Sequence, residues 1–493
     1  MLKTKSFHLY FLIIILLGVF SFTTKVFAST LINADITADT TWDLAGSPYI
    51  IQNDTHVIPA VTLTIEPGVV VKLSQDDLFW IDGKLSAEGN ADNKIVFTSI
   101  DDDSYGGDTG DGNLYTTIRG WGALVFTQTA VPSTLKYIII RYSGGGIEFS
   151  HSTNFLVENI EVNNSSRGII IADSDITIKN IDIKNANTGL VIMENSHVFG
   201  SDINIENVTG EWGINIVGKN FNDPGFPNTD SSAELENVSL KNGAKYGIHV
   251  SQNGRLKLKD AEISGFNDSG INCNSSSSSY PHSIIDVTNT KIENNKYGIY
   301  SFYCDDTIKN NSITNNLTYG FFNVYNSLYN QVIVDAKNNF WGSPTGPYHA
   351  TNPSGLGNAV SDGILFSPWL LIDPLLPPPP CCSSVLFLPG IKGSVLEKGS
   401  DTLWPPTFFS NDIPQLALTS SGESVNDVHT DGILNTFYGT PIYAPFSNFM
   451  DGLVADGTMK EWLPLAYDWR FMPEKILNDG IKTKTETLDV INK

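Results

Sequence analysis

Eight times between Leu135 and Trp341 the chain closes the same phrase on a glycine and an apolar residue. The pairs are Gly146-Ile147, Gly168-Ile169, Gly189-Leu190, Gly213-Ile214, Gly247-Ile248, Gly270-Ile271, Gly298-Ile299 and Gly320-Phe321. Successive glycines are separated by 22, 21, 24, 34, 23, 28 and 22 residues. Each copy holds two strand-like pieces rich in Ile and Val, then polar residues with Asn, then an aromatic or small residue before the glycine. A repeat of this length means a stacked array, because one unit cannot bury its own apolar face.

Inside the units, apolar residues alternate with polar ones, as in Ile176–Ile183 and Ile203–Ile205. That is the mark of strands with one buried face. No helical spacing lies between consecutive strands, which argues against a leucine-rich horseshoe and for a solenoid of short parallel strands, one coil per repeat. Asn180, Asn207, Asn237, Asn294 and Asn315 precede the turns. Asn tolerates left-handed backbone angles, and its stacked amides can hydrogen-bond from coil to coil. The phrases resemble the right-handed parallel β-helix family, the pectin-lyase-like solenoids. The resemblance implies a mainly β fold over residues 29–372.

Val61–Lys72, with its Pro67-Gly68 turn, then Ile81–Gly89 and Lys94–Ser99, resemble the first coils of secreted β-helix proteins. Asp101, Asp102, Asp103, Asp108 and Asp111 cluster in a Gly-rich loop. Clustered carboxylates can hold calcium, but Tyr105 stands where an EF-hand loop needs a ligand, so a solvated acidic loop is the expectation. Lys337–Pro347 and Val360–Trp369 leave the repeat and resemble a closing segment. Trp341 and Trp369 would plug the open end of the apolar core, with sugar stacking as their alternative role.

Residues 1–28 read as a secretory signal peptide. Lys3 and Lys5 give a basic start, Phe11 to Phe20 an apolar centre, and Val26-Phe27-Ala28 a small-residue cleavage pattern. No cysteine follows for a lipoprotein anchor, so a secreted or cell-surface protein is expected. A formal net charge of -23 removes nucleic acid from the expected partners, since phosphate binding wants a basic face. Cys273 and Cys304 follow neighbouring Gly-Ile marks, and a disulfide between them is open. Cys381-Cys382 are awkward for ordinary disulfide geometry. No Cys-x-x-Cys or His cluster suggests zinc, and neither metal nor cofactor is expected.

Residues 373–384, with Pro377–Pro380, form a Pro-rich linker. After it, Val385–Leu388 is a continuous apolar run, as expected for a strand buried on both faces of a parallel sheet. Pro389-Gly390-Ile391-Lys392-Gly393-Ser394 follows, then Leu403-Trp404-Pro405 and Tyr467-Asp468-Trp469-Arg470. In this order the pieces resemble the lecithin:cholesterol acyltransferase-like α/β-hydrolases. The resemblance implies that residues 385–493 are the N-terminal part of an incomplete α/β-hydrolase. It also implies that the backbone N–H of Ile391 serves an oxyanion hole, with Gly390 opening the loop and Trp404 facing substrate. No Gly-x-Ser-x-Gly elbow occurs. Ser394 lies in the loop, His429 precedes the place of an elbow, and Lys475–Lys493 looks like the helix leading into one. The expected truncation falls before the nucleophile.

Three functions follow. The first is the front part of an exported lipid acyl-ester hydrolase or O-acyltransferase carrying a β-helix stalk or binding module. The second is a non-enzymatic surface β-helix that binds glycans or partners. The third is a polysaccharide lyase or glycosidase, for which Glu158, Glu161, Asp173 and Asp175 project from the coils. The sequence pairs no two of these acids and adds no basic partner. Trp80-Ile81-Asp82 resembles a pectate-lyase phrase, but Gly83 stands where that phrase wants His.

Overall fold

The computed structural model describes residues 29–110, 120–218, 230–275, 282–325, 332–376, 383–407 and 411–489. Residues 1–28, read above as a signal peptide, and Asp111, Pro377–Pro380, Cys381 and Cys382 lie outside the described residues. No helix among the described residues is long and apolar enough to cross a membrane. The chain divides into two compact units, Met1–Leu375 and Leu376–Lys493.

The first unit is a parallel β-helix. One sheet of 11 strands, from Thr55–Val57 to Tyr319–Asn323, pairs in parallel throughout. The second sheet bends once within each long strand, which gives every coil three faces. The strands Thr153–Asn163, Asp175–Lys184, His197–Val208, Ser231–Gly243 and Gly254–Phe266 all do so. The bend falls on Asn159, Asn180, Asp202, Asn237 and Asp260, each with a φ between 52° and 58°. A short polar side chain tolerates this left-handed turn because it can hydrogen-bond locally. Asn180 Nδ2 donates to Asn159 Oδ1 at 2.5 Å, and Asn237 Nδ2 to Asp202 Oδ1 at 2.6 Å. The next corner carries Asn164, Asn185, Asn207, Asn242, Asn294 and Asn315, again with positive φ. All five asparagines expected before turns therefore hold left-handed corners.

The glycine marks stack in one register. Ile147, Ile169, Leu190, Ile214, Ile248, Ile271, Ile299 and Phe321 pair consecutively up the 11-stranded sheet and point into the core. The preceding residue is glycine because the coils approach closely there. A β-carbon on Gly189 would sit 2.3 Å from the carbonyl oxygen of Gly213, and one on Gly213 would sit 2.6 Å from that of Gly247. Inside, Ser152, Ser174 and Ser196 form a buried hydroxyl ladder in which each backbone N–H donates to the serine of the next coil. The core is one continuous apolar column from Ile36 to Phe366. Trp341 is fully buried at its C-terminal end and Trp369 packs partly against it, which makes both of them plugs. Full burial removes sugar stacking as a role for Trp341. Cys273 and Cys304 are joined in a disulfide.

In the acidic loop Asp103 and Asp108 are exposed, as a solvated loop requires, and Asp102 departs from that expectation. Asp102 is 1% exposed, accepts from Thr98 Oγ1 at 2.6 Å, and pairs with Arg141 at 3.1 Å. The buried Lys72 ammonium donates to Gly107 O and Thr109 Oγ1 in the same loop. Burial pulls Lys72 below the ordinary lysine range, opposed by Asp103, Asp102, Asp108 and Asp101. Arg141 thus answers the one buried carboxylate, and Lys72 ties the loop down through a carbonyl and a hydroxyl.

The second unit is small. Ser384–Phe387 pairs in parallel with Glu461–Pro464, and Ser394–Lys398 lies between the antiparallel strands Asp401–Trp404 and His429–Ile433. Two expectations are overturned here. The Val385–Leu388 run is not buried on both faces: Leu386 is 54% and its partner Leu463 50% exposed, because no layer covers that side among the described residues. The expected helix over Lys475–Lys493 is not formed by its described residues, 475–489, either. The helix spans Pro473–Asp479, ends at Gly480 with φ 80°, and gives way to a hairpin pairing Ile481–Lys482 with Thr487–Leu488. The β-branched residues after Gly480 suit strands better than helix.

Candidate functional site: an aromatic face on the parallel sheet

Strand alternation sends every second residue of the 11-stranded sheet outward, and parallel register aligns those residues into files. One outward file runs Glu148, Ile170, Val191, Asn215, His249, Asn272, Tyr300, Phe322. The residues before the glycine marks form a second file: Trp212, Tyr246, Ser269, Tyr297, Tyr319. Seven rings thus share the outer face of five consecutive strands, spanning about 20 Å along the axis.

The rings touch. Tyr297 and Tyr319 are parallel with centroids 6.3 Å apart; Tyr300 and Phe322 are 5.6 Å apart, and Tyr319 and Phe322 5.0 Å. On the lower coils His249 lies 5.5 Å from Tyr246 and 6.2 Å from Trp212. Between the two groups sits a polar row, Ser269 and Asn272, and Asn272 Oδ1 lies 2.8 Å from His249 Nδ1. Since the amide oxygen only accepts, that imidazole nitrogen carries the proton. Burial lowers the His249 pKa, the Asn272 hydrogen bond opposing it, and burial raises Tyr246 and Tyr300. Each shift favours the neutral ring. Lys245 and Lys296 cover the Tyr246 and Tyr297 rings at 4.9 and 5.1 Å. At the upper end the face runs into a cleft of about 620 Å³ lined by Tyr319, Phe322, Tyr325, Tyr348 and His349. His349 is a staple there: Nδ1 accepts from Thr351 N–H and Nε2 faces Asp362 Oδ1 at 3.2 Å.

The sequence carried part of this face as the aromatic residue before four of the marked glycines, Gly213, Gly247, Gly298 and Gly320, but periodicity alone does not tell an outward from an inward ring at a strand's edge. The lyase phrase gains a partner the sequence hid. His56, on the preceding coil in register with Trp80, places Nδ1 2.7 Å from Asp82 Oδ2 and lies parallel to the Trp80 ring at 5.6 Å. Basic partners also exist for the projecting acids. Glu161 pairs with Lys94, Glu158 with Lys136 at 3.7 Å, and Asp173 with His151 at 3.3 Å, while Asp175 is exposed at the start of its strand. A glycosidase needs two carboxylates flanking one bond. Three of these four face a base instead.

In the second unit the three resembling phrases meet. Trp404 and Trp469 cross edge to face at 5.4 Å; Trp469 Nε1 donates to Ser394 O at 3.4 Å, and Tyr467 N–H donates to Ser394 Oγ at 3.0 Å. Trp404 Nε1 donates to Lys392 O at 3.0 Å, so its indole edge braces the loop. Gly390 N–H donates to Tyr443 Oη at 3.0 Å, and Ile391 is 80% exposed at the loop tip. Ser394 is buried, and His429 pairs across the sheet with Glu397, its Nε2 3.8 Å from Glu397 Oε2. Ser394 and His429 are not brought together as nucleophile and base.

Residues 215–335 match the family described as "Right handed beta helix region". The first unit is a right-handed parallel β-helix. Among solved structures the chain is similar to the enzymatically active domain of bacteriophage CBA120 tailspike protein 2, at 10% identity and a TM-score of 0.34, over 62% of this chain and 45% of that one. It is also similar to an alginate lyase from Paenibacillus sp. str. FPU-7, at 12% identity and a TM-score of 0.28, over 62% of this chain and 93% of that one. The chain thus spans less than half of the tailspike domain's length. No curated protein matches it.

Proposed function

We propose that the β-helix is a polysaccharide-binding module, exported by segment 1–28, whose ligand chain lies along the aromatic face. The carrying observation is the two-file strip of Trp212, Tyr246, His249, Tyr297, Tyr300, Tyr319 and Phe322. A sugar ring offers an apolar C–H face to such rings and hydroxyls to the amides between them. Asn215 and Asn272 are the amides of the outward file. The disulfide between Cys273 and Cys304 suits an oxidising compartment. The test is affinity electrophoresis of the full chain through gels containing neutral polysaccharides. Retardation that disappears in Tyr297→Ala/Phe322→Ala supports the reading, and equal mobility in every polysaccharide opposes it.

A second reading keeps residues 385–493 as the front of a lipid acyl-ester hydrolase or O-acyltransferase, with Gly390, Ile391 and Trp404 in the oxyanion loop and substrate path. The packing of its three phrases around Ser394 supports it. Hydrolysis of short-chain nitrophenyl esters by the chain joined to a downstream Gly-x-Ser-x-Gly segment, lost on insertion of proline at Ile391, is its test.

A further inference from the structure

Two inward files of the β-helix turn polar on the same coils. One runs Phe149, Ile171, Ile192, Ile216, Val250, then Cys273, Ser301 and Asn323. The other runs Phe155, Ile176, Val198, Ala233, Leu256, Ile285, then Asp306. Asp306 is buried, and among the described residues neither of its carboxylate oxygens has a hydrogen-bond partner; the same holds for the buried Ser301 Oγ and Asn323 Oδ1. A carboxylate in an apolar file without a partner is expensive unless it takes up a proton or meets a cation. Among the described residues, one set of metal-ligating side chains converges: Cys273 Sγ, Cys304 Sγ and an Asp306 oxygen all lie within 4.8 Å of one another.

We propose that Cys273, Cys304 and Asp306 form a structural site for a thiophilic divalent cation of the zinc class, filled when the two cysteines are reduced and replaced by the disulfide when they are oxidised. Two thiolates and a carboxylate are a zinc-type donor set of three, and Ser301, the register partner of Cys273 on the next coil, is the side chain placed to supply a fourth. Opening the disulfide consumes two external thiols, which leave as one external disulfide, and gives two cysteine thiols. The cation then displaces their two protons and adds no electrons. The two thiolates balance the charge of the ion, and the carboxylate, costly when alone, gains a cation to bind. In the oxidised chain the same coils are joined covalently, so one location holds neighbouring coils together in either state.

The experiment uses the full chain with Cys381→Ser/Cys382→Ser, which removes the other two thiols. The protein is reduced with a monothiol, exchanged anaerobically and titrated with Co²⁺ alone. One equivalent is expected to produce a thiolate-to-cobalt charge-transfer band that Zn²⁺ abolishes, and Zn²⁺ is expected to raise the Tm of the reduced but not the oxidised chain. Asp306→Asn should weaken cobalt binding at least tenfold while keeping the fold by circular dichroism. No band in the reduced chain, or unchanged affinity in Asp306→Asn, overturns the proposal. Should Asp306→Asn fail to fold, Cys273→Ser replaces it, with loss of the band expected and an unchanged band contrary.

Discussion

Gly247 lies so close to Gly270 that a β-carbon on the first would sit 2.5 Å from the carbonyl oxygen of the second. The same contact recurs up the sheet, so the repeat's glycine is a spacing requirement rather than a hinge. Gly247→Ala must push the coils apart or displace a backbone carbonyl. Overpacking of this kind costs about 1–3 kcal/mol. Gly144, whose added β-carbon would meet its nearest backbone oxygen at 3.5 Å, is the control. Thermal melts should show a lowered Tm for Gly247→Ala and little change for Gly144→Ala; equal effects would remove the stacking argument.

Arg141 neutralises Asp102 in the interior of the acidic loop. Arg141→Met keeps most of the apolar stem but strands a buried carboxylate. Breaking a buried pair from one side costs about 3–5 kcal/mol. Arg141→Met/Asp102→Asn should recover much of that loss in urea unfolding, and an additive double variant would show that the two residues do not act as a pair.

Much of this molecule is readable from its residues, for definite reasons. The glycine register, repeated eight times, and the asparagine corners are local rules that recur from coil to coil, so stacking amplifies them into a fold. The aromatic strip escaped functional notice because Tyr297 and Tyr319 are 22 residues apart and only parallel register makes them neighbours. His56 and Asp82, and Asp102 and Arg141, are hidden by the same coil-to-coil contact. In the second unit the apolar run at Val385 predicts the strand and its parallel partner. Its burial depends on layers that a single run cannot specify.

His249 gives the aromatic face a pH dependence. Burial holds its folded-state pKa below the ordinary 6.5, so the unfolded chain binds the proton more readily. Stability from this group is complete above pH 6.5 and is lost as pH falls through 6.5 towards the depressed value. His249→Gln should flatten the Tm-against-pH curve in that window. An identical slope in the variant would assign the dependence to other groups.

Among the described residues of the second unit Leu396, Leu403 and Val428 form a small apolar cluster, braced by Trp404, Leu416 and Trp469, while other buried side chains such as Ile433, Met450 and Ile481 lie outside it. With Leu386, Leu388 and Leu463 half exposed or more, the apolar area removed from water is small against the entropy of ordering the chain. Residues 383–493 expressed alone should melt without a cooperative transition in calorimetry. A sharp endotherm would contradict this.

The central claim is that the outer face of the 11-stranded sheet holds a polysaccharide. Isothermal titration of the full chain with the polysaccharide that retards it in gels tests this most directly, comparing wild type, Tyr297→Ala/Phe322→Ala and Phe199→Ala. Phe199 is 57% exposed on the other sheet and serves as an aromatic control. The account predicts a loss of at least tenfold in affinity for the double variant and wild-type affinity for Phe199→Ala. Undiminished binding by the double variant would contradict it.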